Sequence, residues 1–213
     1  MNTISKLRKL PLKMELVYQF RKSRLSLLEW NLKRNPLPPP PYLKHQVIKN
    51  YAKRFKLNIL IETGTYLGDV ANSTKSIFKR IYTIELGKSL YKRARKRFLK
   101  YPHIEVIGGD SAKVLPKLIK NLREPCLFWL DAHYSSGNTV RGEIETPIIN
   151  ELKTILKHPI KKHVILIDDA LDFRGYKDYP TIQELKEFVK NHSLSDIKIK
   201  NNIIRIIPKK LNK

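Results

Sequence analysis

Two apolar runs that end in carboxylates constrain the fold of this 213-residue chain more than any other feature. Residues 126–130 precede Asp131, and residues 164–167 precede the pair Asp168 and Asp169. An apolar run of this length, bounded by polar residues, is typical of a parallel strand that is covered on both faces. The carboxylates then lie at the carboxyl edge of the sheet, where open α/β sheets bind their ligands.

Strand and helix patterns alternate from residue 57 onward. Strands are predicted at 57–61, 81–85, 104–107, 126–130 and 163–167, and helices at 69–79, 88–100, 111–122, 147–157 and 181–191. Alternation at this spacing indicates βαβ units and a parallel sheet. Two further runs, residues 196–200 and 203–207, flank Asn201 and Asn202. Asparagine tolerates positive φ, so this pair predicts an antiparallel hairpin. We therefore expect an α/β fold with a doubly wound, mostly parallel, seven-stranded sheet that ends in a hairpin.

The first 41 residues differ from the rest of the chain. Residues 1–34 predict basic amphipathic helices, whose apolar anchors are Leu16, Phe20, Leu27, Leu28 and Trp30. The proline-rich residues 35–41 cannot continue a helix. We therefore divide the chain into a basic helical extension with a linker, residues 1–41, and an α/β domain, residues 42–213. A helix from His45 to Phe55 leads into the sheet.

The net charge of +24 bears on the partners of the protein. Residues 1–56 hold 14 Lys/Arg and 2 Asp/Glu, which is half of the excess in about a quarter of the chain. Such a surface attracts nucleic acid, an anionic membrane surface or an acidic glycan. A genome of low GC content favours lysine and would produce the same charge without any partner. The N-terminal helices could also pack on the domain, on a second copy of the chain as a homo-oligomer, or in a membrane interface.

The single cysteine and the hydropathy pattern bear on location. Cys126 lies in an apolar run, allows no internal disulfide and agrees with a reducing cytoplasm. No apolar stretch approaches the roughly 20 residues of a membrane span. The N-terminus lacks the compact apolar segment of a secretory signal. We expect a cytoplasmic protein that can associate peripherally with a membrane.

The turn after the first predicted strand is a candidate ligand site. Gly64 and Gly68, with Thr65 between them, allow a close backbone approach, and the following helix offers free N–H groups. The turn lacks the Gly-Lys-Ser/Thr of a phosphate loop, and Tyr66 replaces the middle glycine of the dinucleotide fingerprint. Glu62 would repel a pyrophosphate but could hold a positively charged amino group. An ordinary tight turn is the alternative interpretation.

Two further acids close the next predicted strands. Glu85 ends the second strand, roughly twenty residues past the glycine turn, where an acid can accept both ribose hydroxyls. Asp110, which is followed by Ser111, ends the third strand, where a carboxylate can accept from an adenine amino group. With Glu62, these acids stand at successive strand ends in the order amino acid, ribose and adenine.

Over residues 57–207 the chain resembles class I S-adenosylmethionine (SAM) dependent methyltransferases, whose Rossmann-like methyltransferase fold ends in such a hairpin. Within this class, residues 61–68 and Ile167-Asp168-Asp169 resemble the macrocin O-methyltransferase group, which methylates sugar hydroxyls with Mg²⁺. The resemblance implies that the methionine end of SAM is held by Glu62, Gly64 and Gly68. It further implies that the ribose is held by Glu85, and the adenine by Asp110 and Ser111.

The same resemblance implies a metal site and a catalytic base. The metal-binding aspartates of the group match Asp131, Asp168 and Asp169, and three carboxylates suit a hard cation such as Mg²⁺. The group has a further aspartate, proposed as the base, two places beyond the first metal ligand. This chain has His133 there, which could take a proton near neutral pH or could instead support Asp131.

The sequence therefore predicts an enzyme, an SAM-dependent O-methyltransferase that acts with Mg²⁺ on a hydroxyl of a sugar, a glycan or a related small molecule. A nucleic-acid methyltransferase is the alternative, because the basic surface can hold phosphates. Against it, no Asn/Asp-Pro-Pro-aromatic motif follows the fourth strand. A second alternative is a non-catalytic membrane or scaffold adaptor on an SAM-binding fold.

Overall fold

The computed structural model describes residues 25–132 and 146–211. Seven strands form one sheet: β1 Ile59–Thr63, β2 Arg80–Glu85, β3 Ile104–Gly108, β4 Cys126–Leu130, β5 Val164–Ile167, β6 Ser195–Lys200 and β7 Ile203–Pro208. Their order is β3-β2-β1-β4-β5-β7-β6. The first five strands are parallel, whereas β7 runs antiparallel to both β5 and β6. The predicted doubly wound sheet with a terminal hairpin is confirmed.

Helices cover both faces of this sheet. They are α1 Pro41–Arg54, α2 Asp69–Thr74, α3 Lys88–Phe98, α4 Ser111–Ile119, α5 Ile148–Lys157 and α6 Ile182–His192, with 3₁₀ turns at Ala170–Asp172 and Lys209–Leu211. Residues 25–32 are also helical. Helices α1 to α3 pack on one face, and α4 to α6 pack on the other. Within the described residues, no helix is both long enough and apolar enough to cross a membrane.

The central strand β4 explains why the sequence pattern is apolar without alternation. Phe128 and Leu130 pack into the core beneath α4 to α6, whereas Leu127 and Trp129 pack into the core beneath α1 to α3. All four side chains are buried. Since each face of the strand has its own core, both sets of side chains must be apolar.

The chain reverses its winding direction between β1 and β4. From β1 it proceeds outward through β2 and β3, and it then returns to place β4 and β5 on the other side. Open α/β sheets bind ligands at the carboxyl edge of such a switch point. There Thr63 pairs with Leu130, and a Cβ atom added at Gly64 would lie 2.4 Å from the carbonyl oxygen of Asp131. The turn at Gly64 and the first predicted metal ligand, Asp131, therefore lie next to each other.

Several element boundaries differ from the predicted ones. Strand β1 ends at Thr63, so Glu62 belongs to the strand and does not follow it. Helix α2 ends at Thr74, five residues before the predicted end at residue 79. The hydroxyl groups of Ser73 and Thr74 donate to the Val70 carbonyl, and such bonds compete with continuation of the helix.

The N-terminal predictions are correct in part. Helix α1 begins at Pro41 and not at His45, because proline suits the first helical turn. Trp30 is buried, whereas Leu28 is 58% exposed, so the role of Leu28 as an apolar anchor for a partner stays a prediction. Leu16 and Phe20 lie outside the described residues. The domain boundary at residue 41 stays a prediction.

Replacement of Gly68 tests the turn that leads into α2. This residue has φ +79°, and an added Cβ would lie 2.8 Å from the Phe98 ring. We expect Gly68→Ala to lower the free energy of unfolding by about 2–4 kcal/mol, because backbone strain and overpacking add. Gly87→Ala is the control, since φ there is −71° and suits any residue. Equal losses in urea denaturation of the two variants would contradict this account.

Candidate cofactor and metal site

One row of acidic residues follows the carboxyl edge of the sheet. In the order of the strands from β3 to β5, the row is Asp110, Glu85, Glu62, Asp131, Asp168 and Asp169. The sequence analysis assigned the first three to a cofactor and the last three to a metal. The switch point between β1 and β4 separates these two halves. His133, the predicted base, lies outside the described residues.

Glu85 stabilises the glycine turn, which is the turn from Gly64 to Gly68 that follows β1. Its Oε2 accepts a hydrogen bond from the backbone N–H of Tyr66, and its Oε1 accepts one from Gly87, both at 2.8 Å. Tyr66 has φ +48°, which is uncommon for a residue with a side chain. Each carboxylate oxygen has two lone pairs, so Glu85 can brace the turn and still accept from ligand hydroxyls.

Asp110 forms the N-cap of α4. Its Oδ1 accepts from the backbone N–H of Ala112 at 2.9 Å, and its Oδ2 lies 3.8 Å from Nζ of Lys113. The neighbouring Ser111 is buried. The cap fixes the carboxylate at the helix N-terminus, a placement that the sequence analysis assigned to a ligand contact alone.

Glu62 is a buried acid on strand β1. Its side chain is almost fully enclosed, at 1% exposure, and its Oε2 accepts from the hydroxyl of Thr83 at 2.7 Å. The Thr83 hydroxyl also lies 2.6 Å from that of Thr65. Burial raises the pKa of Glu62 to about 8, and the nearby Asp131 and Glu85 also raise it. Among the described residues no Lys or Arg forms an ion pair with Glu62, so a ligand ammonium group would fit there.

Asp131, Asp168 and Asp169 converge as predicted. One carboxylate oxygen from each lies within 4.8 Å of the others. Asp168 is buried, and its Oδ1 accepts from the backbone N–H of Asp169 at 2.9 Å. Burial raises the pKa of Asp168, and the neighbouring Asp131 carboxylate raises it further. We name these three residues the carboxylate cluster.

Lys44 of α1 extends into the carboxylate cluster. Its Nζ lies 2.5 Å from Oδ2 of Asp168 and 3.6 Å from Oδ1 of Asp169. Burial alone would lower the pKa of Lys44, but the Asp168, Asp169 and Asp131 carboxylates raise it, and the net shift is upward. The side chain therefore remains an ammonium ion. The oxygen atoms of these three carboxylates are the ligands that hard divalent cations prefer.

The hairpin turn positions Asp169. Asn202 donates from Nδ2 to Oδ1 of Asp169 at 3.0 Å, and its own Oδ1 accepts from the backbone N–H of Leu171 at 2.8 Å. Asp169 has φ +52°, an uncommon conformation that these bonds stabilise. The sequence analysis interpreted Asn201 and Asn202 only as turn residues, and both do have positive φ.

Glu151 of α5 is a further acid that the sequence analysis missed. It is buried, and its Oε1 has no hydrogen-bond partner among the described residues. Burial raises the pKa of Glu151 to about 7. Together with Asp131, Asp168 and Tyr179 it lines a small pocket at the carboxyl edge. An acid within a helix is common in sequences, so only its burial beside the cluster distinguishes it.

No protein-family model and no curated protein sequence matches the chain. Solved structures of methyltransferases are nevertheless similar to it. The O-methyltransferase TomG of Streptomyces achromogenes, involved in tomaymycin synthesis and solved with SAM, has a TM-score of 0.59 at 15% identity, over 87% of this chain and 89% of that one. The Podospora anserina methyltransferase PaMTH1, solved with SAH, has a TM-score of 0.58 at 18% identity, over 94% and 98%.

An O-methyltransferase of Bacillus cereus, in complex with SAH, has a TM-score of 0.59 at 14% identity, over 87% of this chain and 90% of that one. At such identities the similarity shows the fold alone. The chain has the Rossmann-like fold of class I methyltransferases, as the sequence predicted. The chemistry of the site has to be argued from its own residues.

The raised pKa of Glu62 makes ligand binding depend on pH. Below pH 8 this carboxyl is protonated in the free protein, and a cationic amino group that needs its charged form must first expel the proton. We expect the affinity for SAM to fall by up to about tenfold per unit as the pH is lowered from 7.5 to 6. Calorimetry in buffers of different ionisation enthalpy should detect the released proton. In Glu62→Gln this proton release should vanish. Persistence of the release in that variant would contradict the assignment of Glu62 to the amino group of the ligand.

Proposed function

We propose that this protein is an SAM-dependent O-methyltransferase that transfers a methyl group to a hydroxyl of a sugar, a glycan or a related small molecule, with Mg²⁺ assistance. The observation that carries the proposal is the row of acids on both sides of the switch point. One half of the row offers partners for an amino group, a ribose and an adenine, and the other half offers three oxygen ligands for a cation.

The cofactor half supports SAM on chemical grounds. Glu62, a buried acid that forms no ion pair with a Lys or Arg among the described residues, would pair with the amino group of the methionine moiety. Glu85 and Asp110 would accept from the ribose hydroxyls and the adenine amino group, and both are already held rigidly by backbone N–H groups. Gly64 and Gly68 have positive φ and shape the turn over which the cofactor would lie, with Thr65 and Ser111 beside it.

The acceptor half lies directly beside Gly64, through the backbone of Asp131. Asp131, Asp168 and Asp169 would hold a divalent cation such as Mg²⁺, which would act as a Lewis acid on the acceptor hydroxyl, orienting it and lowering its pKa. The side chain of Asn202 keeps Asp169 in place. The closeness of the two halves would let an acceptor oxygen lie in line with the transferred methyl group.

A nucleic-acid methyltransferase is the competing proposal, and the charge of the protein supports it. Helix α3 alone presents Lys88, Lys92, Arg93, Arg95 and Lys96 near the predicted ribose end of the cofactor site. Such a surface can hold phosphates. A metal-binding carboxylate cluster, however, suits an acceptor with neighbouring hydroxyls better than a base nitrogen. The adaptor alternative leaves the convergence of Asp131, Asp168 and Asp169 without a role.

Transfer assays with methyl-labelled SAM distinguish these proposals. The acceptor panel contains sugars and nucleotide sugars, RNA, and vesicles of anionic lipid as a binding control. We expect SAM to bind and the label to reach a sugar hydroxyl. Label in RNA alone would favour the competing proposal. Absence of SAM binding in calorimetry would exclude both methyltransferase proposals.

Metal removal is the next test. We expect excess EDTA to abolish methyl transfer and Mg²⁺ to restore it, while the affinity for SAM stays unchanged, because the cluster lies on the acceptor side. Asp169→Asn should require more Mg²⁺ for the same rate. The matched control is Asp172→Asn, an exposed acid in the adjacent 3₁₀ turn. Full turnover in excess EDTA would remove the metal from the proposal.

The role of His133 is tested by the pH profile. If it is the base, kcat/KM for the acceptor at saturating SAM should rise with pH through an ionisation near neutral, and His133→Ala should remove this limb and cost about 10²–10⁴-fold. If it only supports Asp131, added Mg²⁺ should restore the rate. His192→Ala, on an exposed helix end, is the control. A wild-type rate of His133→Ala at every Mg²⁺ concentration would exclude both roles.

A further inference from the structure

The ion pair of Lys44 with Asp168 has a consequence for metal binding. Both oxygens of Asp168 are already engaged, since Oδ1 accepts from the backbone N–H of Asp169 and Oδ2 accepts from Lys44. The Lys44 ammonium also lies 3.6 Å from Asp169. A divalent cation bound to the same carboxylates would lie close to this ammonium group and would be repelled by its positive charge.

The placement of Lys44 follows from the packing of its helix. Lys44, Ile48 and Ala52 are spaced by four residues and therefore share one face of α1. Ile48 and Ala52 are buried in the core against the sheet. The same face carries Lys44 to the carboxyl edge, where its side chain is only 20% exposed. Lys53 of the same helix is exposed and offers a comparison.

The cluster also needs Lys44 when no metal is bound. Adjacent carboxylates repel one another, and the Asp168 side chain is buried, where water screens that repulsion poorly. The Lys44 ammonium contacts both members of the Asp168 and Asp169 pair and offsets part of that repulsion. Lys44 therefore does in the metal-free protein what a bound cation would do.

We propose that Lys44 is the built-in counter-ion of the carboxylate cluster and competes with the divalent cation for Asp168 and Asp169. Metal binding then displaces the ammonium from Asp168, and the strength of this ion pair sets the metal affinity of the site. The inference rests on the proposed function for the presence of a metal. It adds a residue, from outside the row of acids, that controls how readily the metal binds.

Calorimetric titration of the full chain with Mg²⁺ and with Mn²⁺ tests the competition. We expect Lys44→Met to bind both ions about tenfold more tightly than the wild type, within the range typical of coupling between two sites. Lys44→Arg should keep the wild-type affinity, because it keeps the charge. Lys53→Met, which removes an exposed lysine from the same helix, should change nothing.

Thermal unfolding gives a second readout that does not depend on activity. Without metal, Lys44→Met should have a lower Tm than the wild type, and saturating Mg²⁺ should raise its Tm by more than it raises that of the wild type. Lys44→Gln serves as a second variant of similar size. SAM affinity, measured on the same samples, shows whether each variant is folded.

Unchanged or weaker metal affinity in both Lys44→Met and Lys44→Gln would overturn the competition, as would the failure of every variant to bind metal. The SAM titrations separate this result from a failure of the proposed function. SAM binding without any effect of Lys44 on metal affinity would leave the methyltransferase proposal standing and remove only the role of Lys44. Loss of SAM binding in the wild type would remove the methyltransferase proposal itself.

Discussion

The parallel pairing of β1 with β4 is the constraint on which the site depends. It places Thr63 beside Leu130, and the two chains then leave the sheet at the same edge, with Gly64 packed against the backbone of Asp131. Asp110, Glu85 and Glu62 are positioned from one side of this junction and Asp131, Asp168 and Asp169 from the other, so the junction divides the row of acids into two halves. A side chain at position 64 would separate the halves, because no space exists for it.

The second constraint is the accumulation of negative charge at one edge of a buried sheet. The protein manages it in several ways. Glu85 and Asp110 accept hydrogen bonds from backbone N–H groups. Asp169 accepts one from the Asn202 side-chain amide, and Asp168 accepts one from the Lys44 ammonium. Burial instead raises the pKa of Glu62 to about 8 and that of Glu151 to about 7, which favours the neutral form of each. In the proposed function, SAM and the divalent cation supply the missing positive charge.

Much of the architecture could be predicted because its signals are local. Apolar runs that end in acids, capping residues and paired asparagines each act within a few residues, so the βαβ units and the terminal hairpin could be predicted from them. The boundaries failed where side chains bond the backbone, as in Ser73 and Thr74, or where a proline opens a helix, as in Pro41. These effects depend on small differences in free energy that a pattern does not carry.

The sequence by itself determined the identity and order of the acids, because parallel strands bring their carboxyl ends to one edge whatever their detailed packing. Only the tertiary structure decided which other side chains meet them. Lys44 comes from a helix that precedes the sheet, Asn202 from the final hairpin and Glu151 from a helix interior. Contacts between residues more than a hundred positions apart, such as Lys44 with Asp168, depend on how helices pack on the sheet, and no local pattern records that packing.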